Sequence, residues 1–246
     1  REARRLGAEI RFQEPLTAIH LEEATGAADH QQAAGSADER QRQRVASVST
    51  PHSTIATRWL INATGPAAPQ VAALAGVDLP ARPYRRQVFV ANRPAAIDAD
   101  WPLLVDLDSG WYVHPHREML LLGGTDKDTD PDTPERVDWD GLVRVLEAGV
   151  RRVPVLANAE VIRGYAGTRS LTPDFHAILG PVPGVAGFLL ANGWSGHGFM
   201  HAPAAGLLLA ELILDGAARS LDITPLSITR FSSPTEVRHG AERNAF

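Results

Sequence analysis

Apolar positions fall into short runs separated by Gly and Pro, so the pattern predicts many short elements. Residues 1–6 read as the end of a helix closed by Gly7. Strand-like runs follow at residues 8–12, 16–21, 45–48 and 55–63. Residues 24–44 are Ala, Gly, Gln, Asp and Arg without an apolar period, which predicts a flexible insertion at the tip of a β-meander. Ala63-Thr64-Gly65-Pro66 is a sharp stop before a short helix over 69–75. Further strands are predicted near 84–90, 103–107, 111–114 and 119–123. Leu142, Val145, Leu146 and Val150 give helical spacing over 139–150. Residues 161–166, 176–179 and 188–191 read as strands. A closing helix spans 203–214, with Pro203 in its first turn and Asp215-Gly216 ending it. The class is α+β or α/β, with antiparallel strands in the middle.

Composition narrows the function. The chain has 246 residues and a formal net charge of −5, without a basic block, which argues against nucleic acid as a partner. Hydrophobic residues make up 44% and charged residues 22%, enough to bury a core. Cysteine is absent, which excludes disulfides, Cys-ligated metals, a thiol nucleophile and a cysteine-linked cofactor. A reducing cytoplasm is the expected location. No apolar run approaches the ~18–20 residues of a spanning helix, and the longest, over 207–214, is interrupted by Glu211. The opening, Arg1-Glu2-Ala3-Arg4-Arg5, is charged and lacks Met, so it reads as the middle of a longer chain.

Three segments carry candidate chemistry. Gly193-Trp194-Ser195-Gly196-His197-Gly198-Phe199-Met200 joins a buried-type strand to a helix. Its glycines let a backbone approach a ligand, and the helix start adds N–H donors and partial positive charge, which suits an anion or an electron-rich carbonyl. A plain tight turn is the alternative. In the second segment, Gly164 to Asp174, Arg169 leaves a strand among glycines and hydroxyls and could clamp a carboxylate through paired hydrogen bonds. A solvated loop arginine is the alternative. The third, Asn62-Ala63-Thr64-Gly65, ends a strand in small residues against which a cofactor could lie.

Taken in this order, the segments resemble the D-amino acid oxidase superfamily of FAD-dependent amine oxidoreductases. Residues 59–65 resemble the strand and turn beside FAD. Residues 76–89 resemble the entry to the substrate domain. Gly110-Trp111-Tyr112-Val113-His114-Pro115 with residues 120–124 and 130–133 resembles the central sheet. Thr172-Pro173-Asp174, Gly180-Pro181 and the 193–199 turn resemble the closing signature. The resemblance implies a partial FAD-binding domain over 1–80 and an antiparallel-sheet substrate domain over 81–165. It also implies a return to the FAD-binding domain over 166–231 and a tail over 232–246. It implies oxidation of the C–N bond of an amino acid or N-methylated amino acid by hydride transfer to flavin. Arg169 matches the carboxylate-binding arginine of glycine oxidase. His114 lines the substrate side. Ala63, Thr64, Gly65, Gly167 and Gly193 through Met200 face noncovalent FAD, with His197 as a cofactor neighbour rather than a base.

Departures sharpen the resemblance. Met200 stands where monomeric sarcosine oxidase has a carboxylate-binding Lys, and Gly167 where it has the Cys that holds flavin covalently. The active-site His of that enzyme is replaced near Thr125. The family's G-x-G-x-x-G turn for the pyrophosphate is absent from the 246 residues. The expectation is a C-terminal portion, a truncated frame, or one part of a split enzyme. Its partner would be a separate N-terminal FAD-binding chain or a second copy, and the alternative is a non-catalytic remnant. Metal chemistry fits poorly. His197 and His201 lack the Glu of H-E-x-x-H, and the Asp126–Asp130 run has Pro131 where a calcium loop needs Gly.

Overall fold

The computed structural model describes residues 1–24, 43–124 and 130–232. The opening helix α1 (Glu2–Arg5) ends at Gly7, which takes positive φ. Residues 8–12 form no strand: no ladder includes them, the Arg11 side chain reaches the Ser53 hydroxyl at 2.9 Å, and Phe12 is exposed. The meander follows as β1 (Ala18–Glu23), β2 (Gln43–Ser49) and β3 (Thr54–Ala56), all antiparallel. Residues 25–42 of the expected insertion lie outside the described residues, whereas Gln43 and Arg44 belong to β2. The predicted 55–63 strand divides in two. Its second half, β4 (Leu60–Asn62), leaves for another sheet. Thr57 marks the break, its hydroxyl donating to the Trp59 carbonyl 2.8 Å away.

A 3₁₀ turn (Gly65–Ala67) leads into α2 (Ala68–Ala73). The chain then builds an antiparallel sheet from β5 (Arg82–Asn92), β6 (Leu104–Val105), β7 (Tyr112–His116), β8 (Met119–Gly123) and, after α3 (Trp139–Arg152), β9 (Val161–Leu171). Its order is β6-β7-β8-β5-β9. Strand alternation sends Phe89, Leu120, Leu122 and Val113 to one face, where α3 covers them with Val145. Asp138 caps α3 by accepting from the Asp140 N–H at 3.1 Å. Gly149 lets the helix approach closely, since a Cβ there would meet the buried Trp111 ring at 2.9 Å. β9 runs five residues past the expected end at 166, so Arg169 is a strand residue and not a loop residue.

β10 (Ile178–Pro181), β11 (Val185–Ala186) and β12 (Phe188–Asn192) return to the first part of the chain. β11 joins β2 in parallel, and β12 lies between β10 and β4, parallel to β4. The last helix, α4 (Gly198–Asp215), starts five residues before the predicted 203, which puts Pro203 inside it. It packs Ala205, Leu208, Leu209 and Leu212 on Leu179 and Leu189. At 18 residues and mean hydropathy 1.3 it is long and apolar enough, by length and composition alone, to cross a membrane. The run over 207–214 does not signal this by itself, because the helix extends back through residues 198–206; Glu211 within it accepts from the Arg219 and Ser220 backbone N–H groups.

The core predicts a contrast. Leu122→Ala should cost about 2–5 kcal/mol of unfolding free energy, and exposed Leu103→Ala within about 0.5 kcal/mol of zero, measured by denaturant titration.

Candidate functional site

Two parallel strands, β4 and β12, end side by side. The Asn192 side-chain N–H donates to the Asn62 carbonyl at 2.9 Å, and Asn62 in turn holds the Ala68 carbonyl and the Thr64 hydroxyl. Both strands then lead through small residues into a helical turn, Ala63-Thr64-Gly65 on one side and residues 193–198 on the other. A crevice at the carboxyl ends of parallel strands is where open α/β sheets bind ligands. The Gly65–Ala67 turn also lies against β9, which brings the third segment to the second.

The glycine turn itself is tightly constrained. Gly193 (φ +68°) presses on the Thr172 methyl, where a Cβ would collide. Ser195 takes φ +51°, is buried, and donates its hydroxyl to the Phe175 carbonyl at 2.8 Å. Its N–H donates to the Ser170 carbonyl at 3.3 Å. Gly196 (φ +92°) lies against the guanidinium of Arg169, and a Cβ there would sit 2.8 Å from Cζ and 2.9 Å from Nε. The first and second segments are therefore one site. Gly198, Phe199 and Met200 form the first turn of α4, so their N–H groups belong to the set a helix leaves unpaired. Trp194 and His201 stack at 5.8 Å between ring centroids, with His197 beside His201 at 6.1 Å. His197 is thus the residue that precedes the helix.

Arg169 opposes Tyr84 across β5 and is half-buried. Among the described residues it has no carboxylate partner. Burial lowers its pKa from the ordinary arginine value, the nearby Arg86 charge lowers it further, and Tyr112 opposes both. An arginine keeps its proton under such pressure. The result is a partly desolvated cation that an incoming anion would stabilise.

The pairing register places Arg86, Gly167, Gly123, Tyr112 and His114 on the same sheet face as Arg169. Gly167 stands opposite Arg86, and a Cβ there would find only Glu135 Oε1 at 3.9 Å, so this part of the face is open. His114 shares the face but sits three strands across, in the row of Arg163, six residues along β9 from Arg169. Its Nδ1 is buried without a hydrogen bond. Tyr112, two residues earlier, comes nearer: its ring covers Gly123, and it acts electrostatically on Arg169. Sequence reading passed over Arg86 and Tyr112, and only the strand register identifies them. A cleft of about 700 Å³ opens along the start of β5 and the end of β9, lined by Tyr84, Arg86, Asp132, Leu171, Thr172 and Gln70; Arg169 itself is not among its lining residues.

Thr172-Pro173-Asp174 proves to be a structural anchor. Asp174 receives Arg230 Nε at 2.7 Å and Nη2 at 3.1 Å. Burial raises the Asp174 pKa, but Arg230, the His176 N–H and the Thr172 hydroxyl outweigh it and hold the carboxyl below the ordinary aspartate value. No group of three metal-ligating residues occurs among the described residues. Thr125 and Asp126 through Thr129 lie outside them.

The residues present fit a flat ring system such as flavin, which takes on negative charge when reduced. The first turn of α4 offers unpaired N–H donors, and Asn192 Oδ1 is a buried acceptor left without a donor.

A family model described as "DAO: FAD dependent oxidoreductase" matches residues 1–212. FAD-dependent oxidoreductase domain-containing protein 1 of Mus musculus is 31% identical over 188 residues, covering 70% of this chain and 39% of that protein. The mitochondrial sarcosine dehydrogenase of Mus musculus is 30% identical over 200 residues, covering 77% of this chain and 21% of that protein. Among solved structures, L-proline dehydrogenase from P. horikoshii superposes with a TM-score of 0.78 at 25% identity, over 94% of this chain and 57% of that one. The chain thus spans well under half the length of these two curated relatives.

The Asp174 anchor gives a pH prediction. Because its folded pKa is depressed, its stabilisation is present above the unfolded value, about 3.9, and is lost as pH falls through the folded value. Asp174→Asn should lower Tm at pH 7 and flatten its fall below about pH 4, as followed by circular dichroism.

Proposed function

Since the chain belongs to the DAO family of FAD-dependent oxidoreductases, we propose that it contributes the flavin-facing turn and the substrate face of an enzyme that oxidises the C–N bond of an amino acid or N-methylated amino acid. The single observation that carries this reading is the half-buried Arg169 guanidinium, without a carboxylate partner among the described residues, packed on Gly196 of the glycine turn. It joins an anion clamp to a cofactor cradle. Sarcosine dehydrogenase and L-proline dehydrogenase, both named for carboxylated amines, support the substrate class.

Bound FAD supplies the acceptor for the hydride that leaves the carbon beside nitrogen. The chain's own residues orient and bind. Arg169 holds the substrate carboxylate through its planar fork and so fixes the carbon relative to the 193–196 turn. The N–H groups at the start of α4 stabilise negative charge at the ring edge they face. Tyr112 and Arg86 border the substrate on the sheet face. Ala63-Thr64-Gly65 and Gly167 leave room for the ring system. The absence of cysteine from the 246 residues leaves no cysteinyl link to FAD within them. The adenosine diphosphate half needs contacts beyond those present, since G-x-G-x-x-G is missing from these residues. A preceding segment or a separate chain would provide them.

Two measurements test the reading. The purified protein, incubated with FAD and gel-filtered, should retain flavin absorbance; a colourless protein that ignores FAD would show that the cradle alone does not hold the cofactor. In the flavin-loaded enzyme, Arg169→Ala should raise KM for a carboxylated amine about 10- to 150-fold, the value of a charge-assisted hydrogen bond of about 1.5–3 kcal/mol. An amine without a carboxylate should change far less. Equal loss for both substrates would contradict the clamp.

A further inference from the structure

We propose that Arg230, in the 3₁₀ turn Ile228–Phe231 near the end of the described chain, is a positioning residue for the site: it holds the 172–176 turn on which the glycine turn rests. Arg230 uses its whole guanidinium for this. Nε and Nη2 grip the Asp174 carboxylate at 2.7 and 3.1 Å, and Nη2 also donates to the His176 carbonyl at 2.8 Å. Nη1 ties the fork to its own segment through the Leu226 and Ser227 carbonyls at 2.9 and 3.1 Å. The Phe231 ring lies under the cation at 4.2 Å. The ion pair is well shielded, with side-chain exposures of 17% and 14%, so it is not a screened surface contact. Ile228 and Phe231 also pack against the core that contains β2 and β12 residues, which fixes the segment that carries the arginine.

The grip is passed on through contacts already described. Asp174 Oδ1 also accepts from the His176 N–H at 3.1 Å and the Thr172 hydroxyl at 3.0 Å, which closes the turn. Phe175, at its apex, takes positive φ of 62° and offers its carbonyl to the Ser195 hydroxyl. The Thr172 methyl is the surface on which Gly193 sits. Gly196 then backs the Arg169 guanidinium. The links combine hydrogen bonds at Asp174 and Ser195 with close packing at Gly193 and Gly196, and Phe175 and Ser195 are held in a left-handed backbone that isolated chains disfavour. Without Arg230, Asp174 loses the two guanidinium donors and the His176 carbonyl loses one, so that only the local Thr172 and His176 contacts hold the turn. Ser195 then loses a fixed acceptor, and Gly196 is free to move off Arg169. Arg230 touches neither substrate nor cofactor in this arrangement; it acts through Asp174.

The inference rests on reading Arg169 and the 193–196 turn as the substrate and flavin side of the site. Its test therefore carries an Arg169 control. The native flavin-loaded protein is titrated with acetate, a carboxylate with no oxidisable amine, and binding is read from the visible flavin spectrum. The temperature is one at which circular dichroism shows each variant folded. Arg230→Ala should weaken acetate about tenfold or more, because small displacements of a positioned group carry penalties of that order, and should shift the unliganded flavin bands. Arg230→Lys keeps the charge but cannot bridge Asp174 and the carbonyls at once. It should recover most of the Tm while acetate affinity stays between the two, and it decides the matter if Arg230→Ala does not fold. Arg230 variants with lowered Tm but wild-type acetate affinity and flavin spectrum would overturn the positioning role and leave the clamp intact. Unchanged acetate binding in Arg169→Ala would overturn the clamp and the inference together.

Discussion

The site depends on one contact, the approach of Gly196 to the Arg169 guanidinium. A cation that has lost part of its water must be held by something, and here the covering group is a backbone without a side chain. Any Cβ at Gly196 would overlap the guanidinium carbon, and the φ of +92° would itself strain an L-residue. This one approach fixes where the glycine turn lies relative to β9. It thereby fixes where α4 begins and which face of the five-stranded sheet looks into the crevice. Asn62 and Asn192 play the complementary part on the other side, tying β4 to β12 so that their two following turns diverge around one space. The site is thus built from three separate chain segments whose mutual position is set by hydrogen bonds and close backbone packing, more than by side-chain hydrophobicity.

The fold was largely legible in the sequence where periodicity is strong. The helix carrying Leu142, Val145 and Leu146 and the strand over 119–123 stand where the pattern puts them. Reading failed where local chemistry is ambiguous. The 55–63 run looks like one strand because Ile, Trp and Leu are apolar throughout, and only Thr57 and Arg58 mark the break between two sheets. β9 outruns its sequence signal because Gly164 and Gly167 look like turn residues; in the sheet Gly164 sits opposite Phe89, where a Cβ would crowd the ring at 3.1 Å, and Gly167 sits opposite Arg86 in open space. α4 begins before its sequence signal because Pro203 marks a first turn and His197 makes no side-chain cap.

The site residues divide along the same line. Glycine turns are visible in sequence because their residue type is unusual. Arg169 stands out in sequence as an arginine among glycines and hydroxyls just past a predicted strand, although β9 in fact contains it. Tyr112 and Arg86 were not visible, because facing the same side of a sheet as Arg169 is a property of register across strands, and register is set by partners far away in the chain. His114 illustrates the converse. It shares residue type and face with a lining group, yet the register puts it six residues along the sheet from the row of Arg169. Thr172-Pro173-Asp174 reads as a turn in sequence and is one, but its partner Arg230 lies 56 positions away.

The electrostatics of the sheet face favour anions for a reason that goes beyond one clamp. Arg169 is made less comfortable as a cation first by burial and then by Arg86, and only Tyr112 offsets these. A carboxylate bound at Arg169 would relieve that cost. A neutral amine of the same shape would relieve none of it. On the proposed reading, discrimination between a carboxylated and an uncharged amine would come from the cost of the unliganded cation as well as from the hydrogen bonds formed, which is how a site rejects a ligand that leaves its buried polar groups unpaired. The glycine turn adds to the same effect, since it removes water from one side of Arg169 without supplying an acceptor in exchange.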